Sequence, residues 1–294
     1  MSLSTKSLHE KFGLEVRGVD LSQPLPGSVS AELDDLLAQH GVLLLRRQLL
    51  SEEDLVRFAG GFGELEKTIY TKGVSPYHPE VIYISNLKYP DGANVGLLGD
   101  QELRWHSDQT YRTRPATGSM LYGLEVTSTS GCTYWANQYL AHESLPEDVR
   151  KAIEGRTGVF SYAKRLEVFY PKEQKNDKDL NQRAPQAAVH PIVLVNPVTG
   201  RRALYADPVT LQEIQGVSKA ENERLLGILE EHCALPNAVY RHDWRQGDVV
   251  FWDNGCTLHR RDPIDAARAR FMKRNRPACG DPASGGNPGR WWGG

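Results

Sequence analysis

The chain has 294 residues, 39% hydrophobic and 24% charged, with a formal net charge of −2. This is the composition of an ordinary soluble globular protein, and so small a charge excludes long-range attraction to nucleic acid or anionic membrane. No apolar run approaches the roughly 18 residues of a membrane span, and the opening "MSLSTKSLHEKFGLEV" has no apolar signal-peptide core. Cys132, Cys233, Cys256 and Cys279 form no CxxC pair, which suits reduced thiols in a cytoplasmic protein.

In chain order, "FGLEVRGVDLSQPL" alternates like a strand and ends in turn residues. Ser30 is expected to cap a helix over "AELDDLLAQH", with Gly41 as its stop. "VLLLR" reads as a short buried strand. Ser51 and Asp54 form a capping-box pair that opens a second helix. Strand signals then dominate: "EVIYISNL", "GSMLYGLEV", "CTYWAN", "HPIVLVN" and "RALYAD". A hairpin is expected across Asn196–Gly200 and a second across Gln246–Gly247. Between them, Ser218 and Glu221 open another helix. Many short strands with few helices point to a mainly β fold with flanking helices, a sandwich or jelly roll.

Two long stretches, "KYPDGANVGLLGDQEL" and "YAKRLEVFYPKEQKNDKDLNQRAPQ", lack core periodicity and read as lids or loops. The expected organisation is a single domain over 1–278 with a flexible Gly/Pro-rich tail over 279–294.

The chemistry begins at "RWHSDQTY". On a strand, His106 and Asp108 would share a face with Ser107 turned away. A third ligand is needed, and His259, which follows the apolar "VVFWDN", is the best placed of the remaining histidines. Two histidines and a carboxylate leave open positions on a divalent metal, as in non-heme iron oxygenases. The same set suits a hydrolytic zinc. Downstream, Arg270, Met272 and Arg274 would share a strand face, and an inward arginine calls for an anion.

Taken in order, "GVLLLRRQLLSEEDLVRFAGGFGELE", "WHSD", "SGCTYWAN", "WRQGDVVFWDNGCTLHRR" and "ARARFMKR" resemble the Fe(II)/2-oxoglutarate dioxygenases of the taurine dioxygenase and 2,4-dichlorophenoxyacetate dioxygenase type. The resemblance runs over nearly the whole chain except the tail. It implies a double-stranded β-helix (jelly-roll, cupin-like) core and a reaction using Fe(II), 2-oxoglutarate and O2. His106, Asp108 and His259 would hold the metal, and Thr133 and Arg270 the 2-oxoglutarate carboxylate. Arg274 would meet the acidic group of a small anionic substrate. Tyr70, Asn86 and Tyr89 are candidates for lining its pocket. Hydroxylation, with or without cleavage of the product, would release succinate and CO2. No nucleic-acid or membrane partner is expected, and a homo-oligomer is left open.

There are departures. Cys132 stands where the family usually has Asp, and Gly255 where it usually has Arg after "WDN". The alternatives on the same residues are a zinc-dependent hydrolase and a non-catalytic jelly-roll binding module.

Overall fold

The computed structural model describes residues 3–67, 72–97, 101–169, 185–278 and 291. Its frame is two sheets. The larger has seven strands in the order β1-β2-β3-β15-β7-β17-β5, formed by β1 Ser4–Ser7, β2 Leu14–Arg17, β3 Val42–Leu45, β5 Ile82–Ser85, β7 Gly118–Glu125, β15 Val249–Asp253 and β17 Phe271–Asn275. The smaller has the order β14-β8-β16-β6, from β6 Leu103–His106, β8 Thr133–Asn137, β14 Val239–His242 and β16 Thr257–Arg261.

Side-chain alternation explains how these sheets pack. Along β3, Val42 and Leu44 join Trp135, Tyr240, Trp244, Val250, Trp252 and Met272 in the core between the sheets. Leu43 and Leu45 turn outward, with Val249 and Phe251, to meet the helices. Those helices are α1 Gly27–His40 and α2 Glu52–Gly60. The "VLLLR" run is therefore apolar throughout because both faces of β3 are covered.

A second layer holds β9 Thr157–Phe160, β10 Ala188–Pro191 and β13 Leu211–Ile214 in one small sheet, and β11 Val193–Val195 with β12 Arg202–Leu204 in another. Helices α3 Gln138–Ser144, α4 Glu147–Ile153 and α6 Lys219–His232 lie in the same layer, which has its own apolar cluster. Helix α5 Tyr162–Phe169 follows β9. The short pair β4 Glu64–Leu65 and β18 Pro277–Ala278 completes the strands. Among the described residues no helix is long and apolar enough to cross a membrane.

Several local expectations hold. Ser51 and Asp54 make the reciprocal capping box of α2. Gly41 ends α1 at φ 71°, a left-handed conformation that favours glycine. Ser218 caps α6, and the hairpin across Asn196–Gly200 joins β11 to β12.

Others need correction. Ser30 lies inside α1, which begins after Pro26, because Val29 extends the buried Leu33–Leu37 stripe one turn earlier. β14 and β15 do not pair across Gln246–Gly247; the chain crosses there from the smaller sheet to the larger. β17 pairs with β5 and β7, which places the Arg274 strand in the larger sheet. The "YAKRLEVF" start of the second long stretch is helical as α5, anchored by buried Leu166. Of the expected tail over 279–294, Trp291 is described, and it is buried.

Candidate functional site

The metal-type ligands meet where β6 and β16 pair. His106 ends β6 directly opposite His259 of β16, which places both imidazoles on one face, their ring centroids 4.2 Å apart. Asp108 reaches them differently from the expected strand alternation. β6 stops at His106, and the chain then turns through Asp108–Thr110 with Gln109 at φ 61°. The turn returns the carboxylate to the two rings. One ligand atom from each of His106, Asp108 and His259 lies within 4.8 Å of the others, and all three residues are buried.

Hydrogen bonds orient this set. His106 Nδ1 donates to the Arg104 carbonyl at 2.7 Å, leaving Nε2 with its lone pair. His259 Nδ1 is buried with no hydrogen-bond partner among the described residues. Ser119 Oγ donates to Asp108 Oδ2 at 2.7 Å. Behind Ser119, Asn254 Nδ2 donates to its hydroxyl at 3.3 Å, and Trp252 Nε1 donates to Asn254 Oδ1 at 2.9 Å. The "WDN" segment thus steadies the carboxylate through one serine.

The electrostatics favour metal-ready protonation states. Burial pushes Asp108 up, but Arg274, Arg276 and the two imidazoles outweigh it and hold the carboxyl well below its ordinary range. Arg274 Nη1 and Arg276 Nη1 each lie 3.9 Å from Asp108 Oδ1. Burial lowers His259 to about 4, against the attraction of Asp108. Burial, followed by repulsion from His259 and Arg165, holds His106 well below its ordinary value. Two neutral imidazoles and one carboxylate, converging in a buried space, are a donor set that fits a divalent transition metal.

A second feature adjoins the first. Thr133 begins β8 opposite Arg261, two residues beyond His259 on β16. Its hydroxyl accepts from Trp244 Nε1 at 2.9 Å. Arg270 precedes β17, so it does not share a regular strand face with Met272 and Arg274, and a register shift separates Phe271 from Met272. Arg270 is 3% exposed, and its Nη1 donates to the Gly131 carbonyl at 2.9 Å. Its Nε has no hydrogen-bond partner, and no described carboxylate lies within ion-pair distance. Burial, then repulsion from Arg261, lowers it to about 10, so it is cationic at neutral pH. Gly131 is required twice: its φ is 65°, and a Cβ there would lie 2.6 Å from Arg270 Nη1.

The remaining expected residues fall elsewhere. Asn86 clamps the segment before β17: its Oδ1 accepts from Arg270 N and its Nδ2 donates to the Arg268 carbonyl, both at 2.8 Å. Tyr89 is exposed, and Tyr70 lies outside the described residues. Gly255, which stands where the family usually has an arginine, has its own logic. The Trp291 indole occupies its open side, 2.3 Å from where a Cβ would be, and donates to Asp253 Oδ1 at 2.6 Å.

Four site residues escape sequence reasoning. Arg276 could have been found by carrying the Arg274 alternation two residues further. Phe169 and Arg165 stand four apart on α5, a spacing that makes helix neighbours. Phe169 meets His106 edge-on at 5.7 Å, and the Arg165 guanidinium lies 4.7 Å from the Phe169 ring. Arg165 Nη1 is buried without a hydrogen-bond partner among the described residues. Ser119 carries no signal in sequence, because its role depends on a turn that brings Asp108 back to β7.

Residues 4–275 match the family described as taurine catabolism dioxygenase TauD, TfdA family. Pentalenolactone F synthase of Streptomyces avermitilis is 31% identical over 94% of each chain. The alpha-ketoglutarate-dependent 2,4-dichlorophenoxyacetate dioxygenase of Cupriavidus pinatubonensis is 29% identical over 93% of this chain and 97% of its own. Among solved structures, AAD-2 in complex with Mn(II) and N-oxalylglycine aligns with a TM-score of 0.78 at 27% identity, covering 95% of this chain and 98% of that one. The jelly-roll core, the buried His-Asp-His set and these matches agree: the chain belongs to the TauD/TfdA family and is a 2-oxoglutarate-dependent dioxygenase.

Proposed function

We propose that this dioxygenase uses Fe(II), held by His106, Asp108 and His259, to hydroxylate a small organic anion, with cleavage where the hydroxylated product is unstable. Family membership sets this reading above the zinc hydrolase and the binding module. The single observation that carries it is Arg270, a buried guanidinium with no carboxylate partner among the described residues, in a fold that also buries a 2-His-1-carboxylate set. Such a cation is costly without an anion, and a dicarboxylate cosubstrate supplies one.

When bound, the metal supplies O2 activation coupled to decarboxylation of 2-oxoglutarate to succinate and CO2. The chain's own residues position and shield. Arg270 and Thr133 receive the far carboxylate of the cosubstrate. Trp252, Asn254 and Ser119 keep Asp108 oriented, and Arg274 and Arg276 keep it ionised. Phe169 covers His106 and restricts water on that side. The substrate's acidic group would meet Arg274, with Arg165 on α5 as a second cation. Arg274 already lies near Asp108, so Arg165 has more capacity to accept an anion. Relatives that act on phenoxy acids support an anionic substrate here.

The test begins without oxygen. Fe(II) followed by 2-oxoglutarate should give a weak visible charge-transfer band, and Asp108→Ala should abolish it. Admission of O2 should then yield succinate. A folded protein with no band, indistinguishable from Asp108→Ala, would overturn the assignment.

A further inference from the structure

One row of side chains crosses the smaller sheet from the metal-type site to its far edge. His106 faces His259, His259 faces Trp135, and Trp135 faces Tyr240 in the strand register. Directly opposed residues share a face, so all four point into the core between the sheets. Trp252, from the larger sheet, bridges the row: its ring lies 4.9 Å from His259 and 5.5 Å from Trp135. Trp135 stacks on Tyr240 at 6.1 Å with 20° between planes.

The two ends of this aromatic path differ chemically. Trp135 Nε1 is buried with no hydrogen-bond partner among the described residues. Trp252 Nε1 faces only the neutral Asn254 carbonyl oxygen. Neither indole can hand off a proton easily if it loses an electron, so a hole on either would pass onward. Tyr240 is different: its hydroxyl lies 2.8 Å from His242 Nδ1. His242 Nε2 is 3.1 Å from Asp248 Oδ2, close but outside hydrogen-bond alignment, and the carboxylate repels a lone pair on Nε2 and so favours the N–H there. Nδ1 is therefore the acceptor, and the phenol donates to it. Burial also raises Tyr240 above its ordinary value, so the phenol keeps its proton until it is oxidised.

We propose that Trp252, Trp135 and Tyr240 form a one-electron relay that drains oxidising equivalents from the metal site when O2 is activated with no substrate to consume them. The proposal rests on the oxygen-activating function given above. In the first step Trp252 would give one electron to the loaded, oxygen-activated site, and solvent would supply the accompanying proton. Trp135 reduces Trp252, and Tyr240 reduces Trp135. As Tyr240 gives up its electron, its phenolic O–H bond breaks and the proton forms a bond to His242 Nδ1. A neutral tyrosyl radical and an imidazolium beside Asp248 result. A one-electron reductant of the ascorbate class restores the phenol, the proton returning from His242, and a second equivalent of the same reductant supplies the electron that returns the metal to its starting state. Phenylalanine would fill the same space; the hydroxyl on His242 is what makes this end a trap.

Substrate-free protein carrying Fe(II) and 2-oxoglutarate would be mixed with O2, freeze-quenched and read by electron paramagnetic resonance, with succinate counted in the same samples. The wild-type protein should show a tyrosyl radical. Tyr240→Phe should lose it while keeping the anaerobic charge-transfer band, and should inactivate severalfold faster per succinate formed. Peptide mass spectrometry should then find oxygen added at Trp135 and Trp252. If Tyr240→Phe fails to hold the band, Trp135→Phe interrupts the same path and should also suppress the tyrosyl signal. Succinate formed with an unchanged radical and unchanged inactivation in these variants would overturn the relay alone. Absence of succinate would overturn both the relay and the oxygenase function on which it rests.

Discussion

Arg46 and Arg270 both press against the core, and among the described residues Arg46 alone of the two has an anion beside it. Arg46 Nη1 donates to both oxygens of Asp248, at 2.9 and 3.1 Å. Asp248 also accepts from the Arg245 backbone at 3.1 Å and lies against His242. Arg270 is buried more deeply, yet it meets a carbonyl and no described carboxylate. The contrast separates architecture from ligand binding: a closed ion network holds the fold, whereas a buried cation left without an anion marks where one arrives from outside.

The sharpest way to break the comparison is to remove the anion from the closed network. Asp248→Ala leaves Arg46 with only Glu15, 3.4 Å away, and takes the partner from His242. Breaking a fully buried ion pair costs about 3–5 kcal/mol, and the partial exposure of Arg46 together with the surviving Glu15 argues for the lower end or below. Denaturant melts should show that loss, with 2-oxoglutarate affinity of the folded fraction little changed.

Arg270→Ala should behave in the opposite sense. It removes a buried charge that meets a carbonyl but no described carboxylate, so stability should hold or rise. The cosubstrate should suffer: losing one side of a buried charge pair costs about 2–5 kcal/mol of binding. Titration of the anaerobic charge-transfer band reads this directly. If Arg270→Ala destabilised the protein as Asp248→Ala does and left cosubstrate affinity alone, Arg270 would be part of the architecture.

The third test probes the orientation of Asp108. Ser119→Ala removes the donor to Oδ2 while Arg274 and Arg276 keep the carboxylate ionised. Losing a hydrogen bond to a metal-ligating group typically weakens the metal by about 10–100-fold. Competition with a chelator, monitored on the Fe(II)-loaded protein, would measure it. An unchanged affinity would mean that the two arginines alone orient the carboxylate.

How much of this was legible follows from the range over which each signal acts. The capping box at Ser51, the left-handed stop at Gly41 and the fully apolar β3 are local, and the chain declares them. The distance between His106 and His259 in sequence is bridged only by the fold, yet both residue types and the tryptophan-rich run before His259 were visible. The turn at Gln246–Gly247 was visible too, but which sheet receives β15 depends on pairing with Val42–Leu45, two hundred residues earlier. Asp108 was placed by the wrong local rule, strand alternation, and arrives at the right point through a turn. His242 reads in sequence as an ordinary structural histidine. Its closeness to Tyr240 and Asp248 exists only once β14 and the start of β15 are set side by side.

The smallest expected effect concerns acid. A metal must displace protons from its ligands, so affinity falls with pH once the ligands begin to protonate. His259 is lowered from 6.5 to about 4, so from about 5 upward it carries almost no proton to displace. Asp108 is also shifted down and stays ionised over the same range. The sign is the same for both groups: lowering pH from neutral toward 5 should cost almost no metal affinity, and loss should set in only as pH nears 4. Chelator competition at a series of pH values, each checked for folded protein, would show a plateau. A tenfold loss per unit setting in at about 6.5, the ordinary histidine value, would mean that the ligands are not held in the low-dielectric setting described here. The difference between the paired and the open arginine would then lose its physical basis, because both depend on the same exclusion of water from the space between the sheets.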